Sequence, residues 1–183
     1  MNITVFCGSA LGKNKHYKLE AEELAHWIGE NNHRLVYGGS AEGIMGAVAK
    51  VVLSYDSPVM GVLPDVLKET EPAFEEADEL IFVNGMSERK DILFKEGDIF
   101  VALFGGPGTL EEIADVISWL RIGIHNKPVL IYNNEGYYNS LKQQYEKMIE
   151  EAFVPEDFMQ DIYFIDNMAD IIKKLEEYSQ TIK

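Results

Sequence analysis

The sequence predicts an α/β fold in which helices cover both faces of one open, mostly parallel sheet. Short apolar runs typical of buried strands alternate with helical patterns from one end of the chain to the other. No linker, repeat or low-complexity segment interrupts this alternation, so residues 1–183 are expected to form a single domain. Such uninterrupted alternation is typical of the doubly wound, Rossmann-like arrangement.

Each predicted strand is a short run rich in β-branched, aliphatic and aromatic residues, and most of them stop at glycine, proline or asparagine. Residues 99–103 are apolar throughout, which indicates a strand buried on both faces near the middle of the sheet. The predicted strands span residues 3–7, 34–37, 58–63, 80–83, 99–103, 128–132 and 163–165.

Most segments between these strands repeat apolar residues at intervals of three and four, the spacing of one helix face. The helix after the central strand is expected to begin at Thr109 and to end near Gly123. The acidic stretch 68–78 lacks this spacing and is predicted to be a mobile flap or an irregular helix. The other predicted helices span residues 17–28, 44–53, 86–97 and 139–152, and a further helix closes the chain.

Composition restricts the partners and the compartment. A net charge of −15 opposes binding to nucleic acid or a membrane surface, so an anionic ligand must be small and held by local donors. The single Cys7 cannot form an internal disulfide and is interpreted as a buried residue in a reducing cytoplasm. No leader or membrane-spanning run is evident, and the four histidines lack metal-ligand spacing, so no metal is expected.

A glycine-rich turn joins the central strand to the next helix and organises the rest of the chain. Its glycines let the backbone approach an anion without an intervening Cβ, and the N–H groups of the first helical turn point toward that anion. A strand, a tight loop and a helix start therefore predict a phosphate site. The residues expected to bind the ligand there are Gly105, Gly106, Pro107, Gly108, Thr109, Leu110 and Glu111.

The same turn also allows a purely structural interpretation. Thr109 and Glu112 fit a capping box, in which Thr109 caps the helix and Glu112 reaches back to the Thr109 N–H. Capping needs only one acid, however, and two neighbouring carboxylates beside a phosphate loop repel the anion. We therefore expect one carboxylate to face another part of a larger ligand, such as a ribose.

Two cations stand where a helix start does not predict them. Ser87 is expected to cap the helix after the fourth strand, which places Arg89 and Lys90 in its first turn, where the macrodipole disfavours cations. One interpretation is a solvated charged face with Glu88 and Asp91 as neighbours. The other is that Arg89 and Lys90 meet the anion carried by the central loop, since arginine can bind two oxygens at once.

Two groups of aromatic and apolar residues have structural interpretations. Trp119 and Leu120 lie on a helix with apolar residues on more than one face, which predicts burial against a second subunit and hence a homodimer. Tyr137 and Tyr138 follow Gly136 and are interpreted as packing at the start of a helix rather than as a base-stacking site.

A combination of short segments between residues 3 and 153 matches a known family. These segments are Phe6-Cys7-Gly8-Ser9, Tyr37-Gly38-Gly39, Gly43-Ile44-Met45-Gly46, Met86-Ser87-Glu88-Arg89-Lys90, the central loop with Glu112, and Gly123-Ile124-His125-Asn126-Lys127-Pro128. Together they resemble the Lonely Guy family of cytokinin riboside 5′-monophosphate phosphoribohydrolases, many of which carry the label lysine decarboxylase-like. The family pattern around the central loop begins with proline, which Phe104 replaces here, and Ser87 stands where the family usually has histidine.

The resemblance implies roles for particular residues. It implies that Arg89 and Glu112 are the catalytic pair, that Lys90 and the central loop hold the nucleotide, and that Glu71 and Ser118 line the pocket. The other residues expected to contribute to substrate binding are Gly8, Ser9, Gly38, Gly39 and Met86.

The implied reaction is hydrolysis of the N-glycosidic bond of adenosine monophosphate or its N6-prenylated relatives, giving free base and ribose 5-phosphate without a cofactor. Glu112 would stabilise the cation that develops on the ribose and orient the attacking water, and Arg89 would keep Glu112 ionised. The alternative is a nucleotide or molybdenum-cofactor carrier without turnover, although such a carrier gains nothing from a carboxylate beside its anion. A pyridoxal-phosphate lysine decarboxylase is disfavoured because the short chain shows no separate cofactor domain.

Overall fold

A computed structural model describes residues 1–182 of the chain. The seven strands are β1 (Asn2–Phe6), β2 (Arg34–Tyr37), β3 (Val59–Pro64), β4 (Glu79–Val83), β5 (Ile99–Ala102), β6 (Val129–Tyr132) and β7 (Ile162–Ile165). The six α-helices are α1 (His16–Glu30), α2 (Gly43–Leu53), α3 (Met86–Glu96), α4 (Pro107–Arg121), α5 (Asn139–Glu150) and α6 (Met168–Ser179). Short 3₁₀ turns lie at Asp65–Leu67 and Asn134–Gly136.

All seven strands belong to one sheet in the order β4-β3-β2-β1-β5-β6-β7, and every pairing is parallel. The predicted α/β fold is thus confirmed. Because the strands are parallel, their carboxyl ends share one edge of the sheet. The chain order reverses between β1 and β5, where the connecting helices leave toward opposite faces and open a crevice.

Each face of the sheet has its own apolar core. Leu24 of α1, Val48 of α2 and Leu175 of α6 are buried in one core, whereas Leu93 of α3 and Ile113 of α4 are buried in the other. The amino-terminal parts of α3 and α4 therefore lie on the same side of the sheet. Within residues 1–182, no helix is both long enough and apolar enough to cross a bilayer.

One helix begins two residues earlier than the sequence predicted, and another begins where predicted but without the expected cap. Helix α4 starts at Pro107 instead of Thr109, and Gly106 occupies its N-cap position. Proline suits the first helical position because its φ is already helical and its missing N–H would have no helical acceptor. Helix α3 starts after Gly85, so Ser87 lies inside the helix and is not its cap.

The acidic stretch 68–78 is neither helix nor strand over its length, contrary to the irregular-helix alternative. Its chain folds back onto the loop after β2, where the Phe74 N–H donates to the Gly39 carbonyl at 3.0 Å and the Ala41 N–H donates to the Pro72 carbonyl at 2.8 Å. The Phe74 side chain is buried in the core below. One buried aromatic residue anchors the stretch without any helical periodicity.

Candidate active site

The loops after β1, β2 and β5 meet at the carboxyl edge of the sheet. The Gly8 N–H donates to the Phe104 carbonyl at 3.0 Å, and the Gly8 carbonyl accepts from Ile44 and Met45 at 3.1 and 3.2 Å. Gly43 has a φ of +62°, and a Cβ there would lie 2.2 Å from the Ser9 carbonyl carbon. The first amides of α2 thus bind the loop after β1, which leaves the start of α4 as the better anion site.

The start of α4 presents open backbone donors. Gly108 and Thr109 are the second and third helical residues, so their N–H groups have no acceptor within the helix. Apart from the adjoining backbone, a Cβ on Gly106 or Gly108 would meet nothing of residues 1–182 within 4 Å, so solvent or a ligand can reach the backbone. Thr109 is buried and fills the space beside Gly105. These features suit a phosphate, and binding of one here stays a prediction.

Glu112 does not form the capping box. No side chain within residues 1–182 caps α4, and the Glu112 Oε1 instead accepts from Arg89 Nη1 at 2.9 Å. Both side chains are buried, and Arg89 Nε also donates to the Val62 carbonyl at 3.1 Å. A Cβ on Gly38 would lie 2.3 Å from Arg89 Nη2, so the absence of a side chain at Gly38 makes room for the guanidinium. The two residues predicted to be catalytic are therefore in direct contact.

Glu112 also lies close to the open amides. Gly108 and Glu112 are four residues apart on one helix face, about 6 Å along the axis, and helical side chains lean toward the amino terminus. The Glu112 carboxyl is thus directed back toward the start of α4.

The pKa of Glu112 corrects one expectation. Burial raises it to about 7, and the Arg89 guanidinium lowers it by less than burial raises it. The sequence analysis expected Arg89 to keep this carboxyl ionised. With a pKa of about 7, the carboxyl is only partly ionised at neutral pH. A carboxyl that titrates near pH 7 can accept and return a proton during a reaction.

Lys90 engages the remaining acids of α4. Its Nζ donates to Glu111 Oε1 at 2.8 Å and to Asp115 Oδ2 at 2.5 Å, and these hydrogen bonds raise the pKa of Lys90. Glu111 and Glu112 are the neighbouring acids whose charge conflicted with an anion site in the sequence analysis. Each of them pairs with a cation of α3, Glu111 with Lys90 and Glu112 with Arg89. For Arg89, the solvated-face interpretation is wrong, because its side chain is buried.

A cleft of about 410 Å³ opens beside the start of α4. Residues of the loops after β1 and β5, Leu11 among them, form much of its lining, and Tyr17 and Tyr137 also line it. Sequence reasoning missed these three residues. For Tyr137, the signal was available, because this residue follows β6 and the carboxyl ends of parallel strands share one edge.

The two adjacent tyrosines have different environments. Tyr138 is buried and its hydroxyl donates to the Leu103 carbonyl at 2.7 Å, which confirms its interpretation as a packing residue. Tyr137 is 42% exposed in the wall of the cleft, and its hydroxyl donates to the Gly105 carbonyl at 2.7 Å. For Tyr137 the interpretation as packing alone is incomplete.

The other predicted site residues are dispersed. Gly39 has a left-handed φ of +83°, Met86 is the first residue of α3, and Glu71 is half-buried in the stretch 68–78. Ser118 is exposed on α4, about 15 Å along the axis from Gly108, so this chain does not bring it to the cleft. Cys7 is buried, and burial raises the pKa of its thiol, as suits a packing residue.

Comparison with known proteins gives sequence relatives over nearly the whole chain. Residues 45–175 match the family model described as possible lysine decarboxylase. Cytokinin riboside 5′-monophosphate phosphoribohydrolase LOG4 of Arabidopsis thaliana is 42% identical over 177 residues, which cover 97% of this chain and 82% of that protein. The probable cytokinin riboside 5′-monophosphate phosphoribohydrolase LOGL2 of Oryza sativa subsp. japonica is 41% identical, covering 97% of this chain and 72% of the relative.

Solved structures with the same fold are more distant in sequence. The molybdenum cofactor carrier protein of Chlamydomonas reinhardtii superposes with a TM-score of 0.73 at 20% identity over 96% of each chain. The molybdenum cofactor binding protein of Rippkaea orientalis gives a TM-score of 0.72 at 20% identity, covering 97% of this chain and 96% of that one. At such identity the likeness shows the shared fold alone.

Proposed function

The chain belongs to the Lonely Guy family, and from that premise we propose that it is a phosphoribohydrolase that releases the base from cytokinin riboside 5′-monophosphates. The observation that carries this proposal is the position of the Glu112 carboxyl one helical turn behind the open amides of Gly108 and Thr109. A 5′-phosphate bound at those amides would place the attached ribose over this carboxyl. Adenosine monophosphate, which has the same phosphate and sugar, is a proposed second substrate.

In the proposed reaction, water adds to the anomeric carbon as the bond from that carbon to the base nitrogen breaks. Positive charge develops on the ribose ring in the transition state, and the base leaves with the electron pair and takes up one proton from solvent, to which Glu112 later returns the proton that it takes from the attacking water. The ionised Glu112 carboxylate stabilises this charge and accepts a proton from the attacking water. Arg89 holds the carboxylate in place and contacts the phosphate or the ribose.

The remaining contacts follow from the placement of the loops. We propose that the backbone of Gly105, Gly106, Gly108 and Thr109 surrounds the 5′-phosphate, because this segment combines accessible backbone with the positive end of the α4 dipole. Lys90 would add positive charge beside that segment, after partial release from Glu111 and Asp115.

The test is to incubate the protein with adenosine monophosphate, with its N6-prenylated relative and with adenosine, and to quantify free base and ribose 5-phosphate by chromatography. We expect base release from both nucleotides and at least about tenfold less from adenosine, which lacks the phosphate that binds α4. Tight nucleotide binding without base release would instead favour the carrier function. The carrier has weaker support, because the relatives at about 40% identity are named as hydrolases and the carriers share only the fold.

The pH dependence of turnover provides a second measurement. Because burial raises the pKa of Glu112 to about 7, its carboxyl is mostly protonated below that pH. The proposed mechanism uses the carboxylate, so kcat for adenosine monophosphate should rise through pH 7 and fall about tenfold per pH unit well below it. A kcat that stays constant between pH 5 and 8 would contradict the role of Glu112.

We also propose that the chain forms a homodimer through the carboxyl-terminal part of α4 and the loop that follows it. Ile122 and Ile124 are exposed there, and Trp119 beside them is only half-buried, which suits an interface more than a solvated surface. Sedimentation equilibrium should give twice the chain mass, and a monomer mass would contradict the proposal.

We also propose a cytoplasmic location. The free, buried Cys7 suits a reducing compartment, and cell fractionation tests this proposal.

A further inference from the structure

An aromatic cluster supports the glycine-rich loop from the side of the cleft. The Phe104 ring lies 4.2 Å from the Tyr17 ring and 5.2 Å from the Tyr137 ring, measured between centroids. Tyr17 and Tyr137 contact each other edge to face at 5.8 Å. The cluster thus joins three separate parts of the chain, namely the start of α1, the loop after β5 and the loop after β6.

Within residues 1–182, the hydroxyl of Tyr137 makes the one side-chain hydrogen bond from this cluster to the backbone of the glycine-rich loop. It donates to the Gly105 carbonyl at 2.7 Å. That carbonyl belongs to the peptide unit between Gly105 and Gly106, which is planar and trans, so the Gly106 N–H must point in the opposite direction. By fixing the carbonyl, Tyr137 also fixes the direction of the Gly106 N–H.

This peptide unit needs an external support. It lies between two glycines, which offer the least steric resistance to a flip of the peptide plane. The family pattern has proline before these glycines, and the proline ring fixes φ. Phe104 stands there instead and leaves its own φ free. A flipped peptide would turn the Gly105 carbonyl oxygen toward the start of α4, where it would repel a bound anion.

We propose that Tyr137 is a positioning residue that keeps the Gly105–Gly106 peptide oriented for the 5′-phosphate, so that the Gly106 N–H joins the Gly108 and Thr109 amides as a donor. This inference rests on the proposed function for the identity of the anion. Tyr137 does not take part in bond breaking. Its hydroxyl should therefore affect how tightly the phosphate end of the ligand binds, while the pH dependence set by Glu112 remains.

The test replaces Tyr137 by phenylalanine, which removes the hydroxyl and retains the ring. We expect the dissociation constant for ribose 5-phosphate, measured by calorimetry, to rise about fivefold, as loss of one hydrogen bond to the loop implies. The KM for adenosine monophosphate should rise by a similar factor, with kcat changed less than about twofold. The pH midpoint of kcat should stay where it is in the natural protein.

The matched control is Tyr138→Phe, because the Tyr138 hydroxyl also donates to a carbonyl of the same segment, that of Leu103, at 2.7 Å. This carbonyl is further from the glycines, so Tyr138→Phe should lower the melting temperature and leave ribose 5-phosphate affinity within about twofold. Unchanged affinity in Tyr137→Phe, or equal weakening in both variants, would overturn the positioning role. A third outcome is that the natural protein releases no detectable base but binds ribose 5-phosphate, and that only Tyr137→Phe weakens this binding. That result would overturn the hydrolase proposal and support the positioning role.

Discussion

Replacing Glu112 by glutamine is expected to lower kcat for base release by about 1,000-fold or more while leaving the protein folded. Glutamine has nearly the same size and can still accept the hydrogen bond from Arg89, but it carries no negative charge and cannot take a proton from water. The large effect follows because the carboxyl is buried beside the proposed ribose position, where one charge is weakly screened. Chromatography of the free base measures the rate, and circular dichroism checks the fold.

The neighbouring acid provides the control for that variant. Glu111 is exposed and pairs with Lys90 on another face of α4, so Glu111→Gln should keep kcat within about tenfold of the natural protein. An active Glu112→Gln variant would remove the catalytic assignment of this residue. A loss of equal size in both variants would mean that the acids act through their joint charge, which also contradicts the assignment.

Replacing Arg89 by methionine is expected to have the largest effect on stability. The Glu112 carboxylate would remain buried without a partner, and breaking a buried ion pair in this way costs about 3–5 kcal/mol of unfolding free energy. Without the guanidinium, which lowers the pKa of Glu112, this pKa must rise further. A raised pKa favours the protonated form, so the stability loss should be larger near pH 8, where the natural protein holds mostly the carboxylate, than near pH 5, where both proteins hold the acid. Urea unfolding at the two pH values measures the difference.

Two further variants separate the charge effect from packing. Arg34 forms ion pairs with Glu79 and Glu96 closer to the surface, so Arg34→Met should cost about 1 kcal/mol or less at either pH. Combining Arg89→Met with Glu112→Gln should restore much of the stability at pH 8 and no base release, because the unpaired charge is gone and so is the carboxylate. A loss in Arg89→Met that is independent of pH and equals that in Arg34→Met would show that the buried pair contributes little.

Much of the fold was predictable because its signals are local. The alternation of apolar runs with helical spacing reports which face of each segment is buried, and it gave all seven strands within a few residues. The cations at Arg89 and Lys90 were also informative, since a helix start disfavours them. The cap of α3 and the start of α4 were misplaced because Ser87 and Thr109 compete with glycine and proline for the helix boundary, and the actual cap depends on backbone geometry.

By itself, the sequence determined the parallel α/β architecture and the glycine-rich helix start after β5, because these depend on residue type, spacing and neighbouring residues, and the family resemblance singled out Glu112 and Arg89 beside that helix start. The tertiary structure decided that Arg89 and Glu112 form a buried pair, that burial outweighs the guanidinium in setting the pKa of that carboxyl, and that Tyr137 reaches Gly105. These features join residues 23 or more positions apart in the chain. Their distances and desolvation exist only once α3, α4 and the loop after β6 have packed at the same edge of the sheet.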